Sequence, residues 1–176
     1  MENNNRYIIL DLDGVLNVEV FINAVHYVAG KTTIDFNKCV HDEYGMLFCP
    51  TAVNMLKYII EETGAKIVIS STWRHSGLKV MQEMWKFREL PGEVVGVTPH
   101  FRDHLDRNLP FKERAERGHE VAHYVKENNI TNFVIFDDDS DFLPEQEPRF
   151  IQTNERYGIT FEDATKAIEI LNKFAN

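Results

Sequence analysis

Asp11-Leu12-Asp13-Gly14 sets two carboxylates two residues apart, directly behind the apolar run Tyr7-Ile8-Ile9-Leu10. On a continuing strand both side chains would share one face. They would repel there unless a cation or a proton stood between them. Magnesium takes oxygen ligands and is satisfied by one or two carboxylates together with substrate phosphate. Gly14 lets the chain turn immediately afterwards. An Asx turn closing a strand is the plainer reading of the same residues. A second acidic cluster, Asp137-Asp138-Asp139-Ser140-Asp141, follows the apolar run Phe133-Val134-Ile135-Phe136. It would complete a magnesium site, or form a solvated acidic loop, the reading that suits Asp139 taken alone. It begins like a calcium loop, but it lacks the glycine at the sixth position and the glutamate at the twelfth that such a loop needs.

Between these acids lie hydroxyls and cations. Ser70-Ser71-Thr72 ends the run Lys66-Ile67-Val68-Ile69. A hydroxyl at a strand end can donate to a phosphoryl oxygen, and Ser and Thr are equally good N-caps for a following helix. The two roles are compatible, because helix N-termini attract anions. Arg74 falls in the next turn and is placed either to contact substrate or to face solvent. Arg117 stands ahead of a helical pattern, with Lys112 as its rival. A cation there would neutralise an attacking carboxylate and a transferred phosphoryl group. Each of these cations alone also reads as a solvated charge.

Such residues need elements to bring them together. The three short apolar runs, rich in β-branched residues, read as strands buried on both faces. Pro50 opens a helix with Val53, Leu56, Ile59 and Ile60 on one face, ending near Gly64. Residues 76–87, 118–128 and 161–174 carry helical spacing, and 149–152 reads as a last short strand. Residues 18–48 show no clean period and read as an insertion, a flap of short strands or small cap. Residues 91–117 are polar and irregular, and 75–116 forms a second insertion. Strands alternating with helices imply βαβ units and a parallel sheet. In such sheets ligands bind outside the carboxyl ends of the strands, where Asp11, Ser71 and Asp137 would converge.

The 176 residues fit a single domain, 1–176. With 43% hydrophobic residues the chain lies in the ordinary globular range. A chain of this length buries about 70% of its unfolded surface, so it needs no staples. The formal charge of −9 opposes binding to long nucleic acid, which calls for a basic footprint. Cys39 and Cys49 form no CxxC pair and read as buried free thiols in a reducing cytosol. The polar start and the shortness of the first apolar run give no signal peptide or membrane span, so a cytoplasmic protein is expected.

Taken together, the elements resemble the haloacid dehalogenase-like (HAD) superfamily. Its first motif is a hydrophobic strand ending in DxD, here Asp11-Leu12-Asp13. Its second is a strand ending in Ser or Thr, placed at Ser71 by the Gly64-Ala65-Lys66-Ile67 lead-in, with Ser70 as fallback. Its third is Lys or Arg before a helix, Arg117 or Lys112. Its fourth is an acidic pair followed by another acid, here Asp137, Asp138 and Asp141. The stretches Ile69-Ser70-Ser71-Thr72-Trp73-Arg74, Arg117-Gly118-His119-Glu120-Val121 and Val134-Ile135-Phe136-Asp137-Asp138-Asp139 look more narrowly like the HAD domain of multi-domain RNA-repair (Swiss-army-knife) proteins.

The resemblance implies a Rossmann-like α/β three-layer sandwich with a parallel central sheet and a small cap or none. It implies a magnesium-dependent phosphatase in which Asp11 attacks phosphorus to form an aspartyl-phosphate, and Asp13 moves the proton. Ser71 or Ser70, Arg117 or Lys112, and Arg74 would bind phosphoryl oxygens. Asp11, Asp13, Asp138, Asp137 and Asp141 would serve the metal, Asp138 most directly. The substrate would be a phosphomonoester, a small molecule or a nucleic-acid end. Two non-enzymatic readings compete with this one. A response-regulator receiver carries its acceptor Asp on a middle strand, which here ends in serines. A catalytically silent, magnesium-binding interaction module would have no need of Asp13.

Overall fold

The computed structural model describes residues 5–32, 35–101 and 116–173. The three apolar runs become the centre of a five-stranded sheet. Strand β1 is Tyr7–Leu10, and α1 (Glu19–Ala29) and α2 (Phe36–Val40) follow it. A small hairpin comes next, β2 (His41–Asp42) with β3 (Gly45–Met46), and then α3 (Pro50–Thr63). After β4 (Lys66–Ile69) a 3-10 turn (Thr72–Ser76) leads into α4 (Leu78–Phe87) and β5 (Val94–Val97). The chain ends with α5 (Glu116–Glu127), β6 (Phe133–Asp137), a 3-10 turn (Pro144–Arg149), β7 (Phe150–Gln152) and α6 (Phe161–Lys173).

The strand order is β5-β4-β1-β6-β7, and every neighbouring pair is parallel. Residues alternate between the two faces of each strand, and the core divides accordingly. Ile8, Leu10, Ile67, Ile69, Val134 and Phe136 face α3, α4 and α6, meeting Leu56, Ile59, Met84, Ala167 and Leu171. Ile9, Val68 and Ile135 face the other way, onto Val121 of α5 together with Ile130 and Phe133. Burying each such aliphatic side chain contributes about 1.5–3 kcal/mol, so the sheet centre is the most firmly held part of the molecule. This is the α/β three-layer arrangement expected from the alternation of strands and helices.

Two elements depart from the sequence reading. Residues 94–97, taken as irregular, form the edge strand β5. The run is only four residues long, between Gly92 and Pro99, and only every second residue is buried. Residues 18–48, taken as a flap of short strands, contain an eleven-residue helix as well as the hairpin. Within α1 only Ala29 is buried, while Val20, Tyr27 and Val28 are exposed, so no core-facing stripe marks the helix in the sequence. Cys39 and Cys49 are free and half-buried. Among the described residues no helix is long and apolar enough to cross a membrane.

Candidate active site

Sheet register gathers the acids. Leu10 is level with Ile69 of β4 and with Phe136 of β6. The next residue on each chain, Asp11, Ser70 and Asp137, therefore leaves the sheet at the same height. The backbone N–H of Asp11 donates to Phe136 O at 2.9 Å, and that of Ser70 donates to Leu10 O at 2.8 Å, extending the ladder to the site itself. Gly14 then turns the chain with φ +68°. A Cβ there would come within 2.7 Å of Asp138 Cβ, so the tight approach of the first acidic loop to the second requires glycine. The loop closes through Gly14 N–H to Asn17 O at 2.9 Å, and Thr153 Oγ1 donates to Gly14 O at 2.9 Å.

Asp11 is 5% exposed and Asp137 is 1% exposed. Arg117 lies between them, with Nη1 3.9 Å from Asp11 Oδ1 and Nε 3.7 Å from Asp137 Oδ2. Burial pushes the Asp11 carboxyl up to about 6, with Arg117 and a hydrogen bond from Ser71 pulling the other way. Burial, reinforced by the Asp11 charge, raises Asp137 well above the ordinary carboxylate range, again against the pull of Arg117. Burial also works against the charge on Arg117, but Asp137, Asp11 and Asp141 together outweigh it and hold the guanidinium protonated. Asp141 accepts from the Arg117 backbone N–H at 3.0 Å, and Gly118 N–H donates to Asp141 O at 3.0 Å. That pair of bonds locks the start of α5 to the late acidic loop and so aims Arg117 at Asp11 and Asp137.

Asp11, Asp137 and Asp138 each offer a carboxylate oxygen, and these oxygens all lie within 4.8 Å of one another. Asp137 Oδ2 is buried without a hydrogen-bond partner. Three hard oxygen donors, all raised in pKa by burial, can hold a metal ion. Asp13 and Asp141 do not join that trio. Asp13 is instead held by two neutral donors, Trp73 Nε1 to Oδ2 at 2.9 Å and Asn17 Nδ2 to Oδ1 at 2.9 Å. Neither donor drew attention in the sequence. Nothing in residue type alone marks an indole 60 positions away as a partner of Asp13.

The two serines point apart. Ser71 hydrogen-bonds Asp11 and caps the following turn by accepting from Trp73 N at 3.4 Å. Ser70 accepts from Thr98 Oγ1 at 3.3 Å, toward the sheet edge. Both are buried. Arg74 is buried too, and its guanidinium braces the scaffold. Nη1 donates to Ser71 O at 2.7 Å and Nη2 to Glu120 Oε2 at 2.5 Å. Glu120, given no role of its own in the sequence reading, also takes the Phe101 backbone N–H at 3.0 Å. Its oxygens reach within metal-ligating distance of His100 and Glu116, but Arg74 and Phe101 already occupy them. A cavity of about 220 Å³ opens here, lined by Thr72, Arg74, His100, Arg117 and Asp139 among others. Lys112, the alternative cation, lies outside the described residues, as does most of the basic stretch around it.

A parallel α/β sheet with an acidic pair ending its central strand, a second acidic cluster ending the neighbouring strand and a cation between them defines a HAD-like domain. Residues 7–164 match the family described as the HAD domain in Swiss Army Knife RNA repair proteins, and the chain belongs to that family. Among solved structures, the chain is similar to a haloacid dehalogenase-like family hydrolase from Streptococcus pneumoniae, at 12% identity and a TM-score of 0.46 over 97% of this chain and 99% of that one. No curated protein matches the chain.

Proposed function

We propose that this domain is a magnesium-dependent phosphohydrolase acting on phosphomonoesters through an aspartyl-phosphate on Asp11. The observation that carries the reading is the division of labour between the paired acids. Asp11 is buried beside Arg117 and within the acidic trio, whereas the Asp13 carboxylate, two residues on, is engaged at both oxygens by neutral N–H donors. A bare metal site would have no use for a second carboxylate oriented by its own pair of donors.

Asp11, Asp137 and Asp138 would hold the magnesium, which would supply charge neutralisation at the phosphoryl oxygens. An Asp11 carboxylate oxygen attacks phosphorus, and the bond from phosphorus to the ester oxygen breaks. Asp13 gives its proton to the departing oxygen, so an alcohol leaves. Asp13, now a carboxylate, takes a proton from water as the water oxygen attacks phosphorus. The bond from phosphorus to the Asp11 oxygen then breaks, releasing inorganic phosphate and restoring both acids. Arg117 and the Ser71 hydroxyl stabilise the transferred group's oxygens. Arg74 supports that group by fixing the Ser71 carbonyl and adding positive charge close by. Catalysis is then mostly positioning and charge neutralisation.

The family's description points to a nucleotide or a nucleic-acid end as substrate. A local contact of that kind is compatible with a formal charge of −9, since a chain end needs no long basic footprint. The test is magnesium-dependent phosphate release from p-nitrophenyl phosphate, nucleotides, sugar phosphates, and RNA and DNA bearing 3′- or 5′-phosphate ends. Wild type should release phosphate from at least one class, and Asp11→Asn from none. Silence across the panel with magnesium still bound would overturn the reading in favour of a non-catalytic, magnesium-binding module.

A further inference from the structure

The two bonds onto Asp13 come from different parts of the chain, and each donor is itself fixed. Asn17 is set by its backbone carbonyl, which accepts from Gly14 N–H at 2.9 Å. Trp73 is the second residue of the 3-10 turn behind β4, and Ser71 caps its backbone N–H. Its ring is held from three sides. The Arg88 guanidinium lies 5.6 Å from the indole centroid, and Phe48 packs tilted at 5.7 Å. The hairpin residue Gly45 comes so close that a Cβ on it would lie 3.3 Å from Trp73 Cη2. Arg88 is in turn tied to the hairpin, through Asp42 at 2.7 and 2.8 Å and through Gly45 O at 3.2 Å. The indole N–H is a donor only, and both Asp13 oxygens are engaged. The carboxyl plane and rotamer are thereby fixed.

We infer that Trp73, with Asn17, is a positioning residue that holds the Asp13 carboxyl in the orientation needed to protonate the leaving oxygen, and that the hairpin insertion serves to clamp this indole. The inference rests on the role given above to Asp13. A proton donor must lie within hydrogen-bond reach of the atom it serves, at a defined angle, and a misplacement of about 1 Å can cost about a hundredfold. A freely rotating Asp13 would spend much of its time turned toward solvent.

The consequence depends on the leaving group. An alkyl phosphate expels an oxygen that must be protonated as it departs, whereas p-nitrophenyl phosphate expels a stable phenolate that hardly needs the proton. The experiment measures kcat/KM for both esters, which reports the step up to Asp11 phosphorylation, in wild type, Trp73→Phe, Asn17→Ala and Asp13→Asn. In Trp73→Phe, kcat/KM for the alkyl ester should fall at least about tenfold further than for the aryl ester, a part of the roughly 10²–10⁴-fold that general acid catalysis supplies. Asn17→Ala should shift the ratio in the same direction. A purely structural role would lower both esters alike, so an unchanged ratio in Trp73→Phe and Asn17→Ala, with Asp13→Asn still selective, overturns the inference and leaves the phosphatase reading standing. If Trp73→Phe does not fold, Asn17→Ala decides on the same criterion. If Asp13→Asn itself leaves the ratio unchanged, Asp13 is not the acid, and both the mechanism and this inference fall.

Discussion

Gly14 and Asp138 pack so tightly that no side chain fits between them, and the first acidic loop is thereby pressed onto the second. The contact joins the end of β1 to the end of β6, bringing Asp138 within reach of Asp11. Gly14→Ala must place a Cβ into Asp138 at φ +68°. The backbone strain alone costs about 1–3 kcal/mol. The expected outcome is a lower urea midpoint together with a weakened magnesium response. A variant that unfolds at the wild-type midpoint and binds magnesium normally would show that the loops can separate without consequence.

Arg117 is the described cation placed between Asp11 and Asp137. Arg117→Ala should lower kcat by about 10²–10³-fold, the usual result of removing one such charge-stabilising donor. Arg117→Lys should recover only part of this, because a point charge does not reproduce the guanidinium fork spanning two carboxylates. Steady-state kinetics on the best substrate measures both. Full activity in Arg117→Ala would transfer the role to Lys112.

Protons and magnesium compete for Asp11. Burial raises its folded-state carboxyl from 3.8 to about 6. For an acid raised in this way, the stabilising contribution in metal-free protein is fully present below about 3.8 and is lost as pH rises through about 6. Magnesium affinity should run oppositely, falling as pH drops through about 6 because the proton occupies the Asp11 oxygen, with the raised Asp137 carboxyl adding a loss of the same sign. Titration calorimetry across this range measures the affinity, and urea unfolding of metal-free wild type against Asp11→Asn measures the stability component. A pH-independent affinity between pH 5 and pH 7 would contradict the assignment of Asp11 as a ligand (roughly one unit either side of its shifted value).

The Asp42–Arg88 pair carries the opposite sign. Hydrogen bonding to Arg88 lowers Asp42 below 3.8, outweighing the effect of its burial. Its contribution is therefore present above 3.8 and disappears as pH falls through the lower folded value. Wild type should lose stability in that acid range more steeply than Asp42→Asn, as read by urea midpoints at successive pH values. Because this pair ties the hairpin to Arg88 and Arg88 to Trp73, Asp42→Asn should also change Trp73 fluorescence at neutral pH, read in a Trp85→Phe background because Phe48 packs against both indoles.

The centre of this protein is written locally in its chain. Tyr7-Ile8-Ile9-Leu10, Lys66-Ile67-Val68-Ile69 and Phe133-Val134-Ile135-Phe136 read as short strands buried on both faces, because they are short, β-branched and apolar with no solvent side. The acids and hydroxyls that interrupt them therefore had to stand at strand ends. Asp11, Asp13, Ser71, Arg117, Asp137, Asp138 and Asp141 stood out as candidates for that reason, with Ser70 and Lys112 as alternatives: each follows a local change from apolar to polar, or stands near the start of an amphipathic helix. The edge strand β5 and the helix α1 were not legible, since both are half-exposed and bury too few side chains to leave a period. Tertiary structure alone decided how the acids divide. Strand register brought Asp11 and Asp137 level, the close approach of Gly14 to Asp138 joined Asp138 to them, and bonds from Trp73 and Asn17 engaged the Asp13 carboxylate. The alternation of side chains along the chain pointed Ser71 at Asp11 and Ser70 at Thr98. The pairings of Trp73 with Asp13 and of Arg74 with Glu120 span 60 and 46 residues. No local pattern encodes such pairs, because what selects them is the space left once the sheet and its helices have packed.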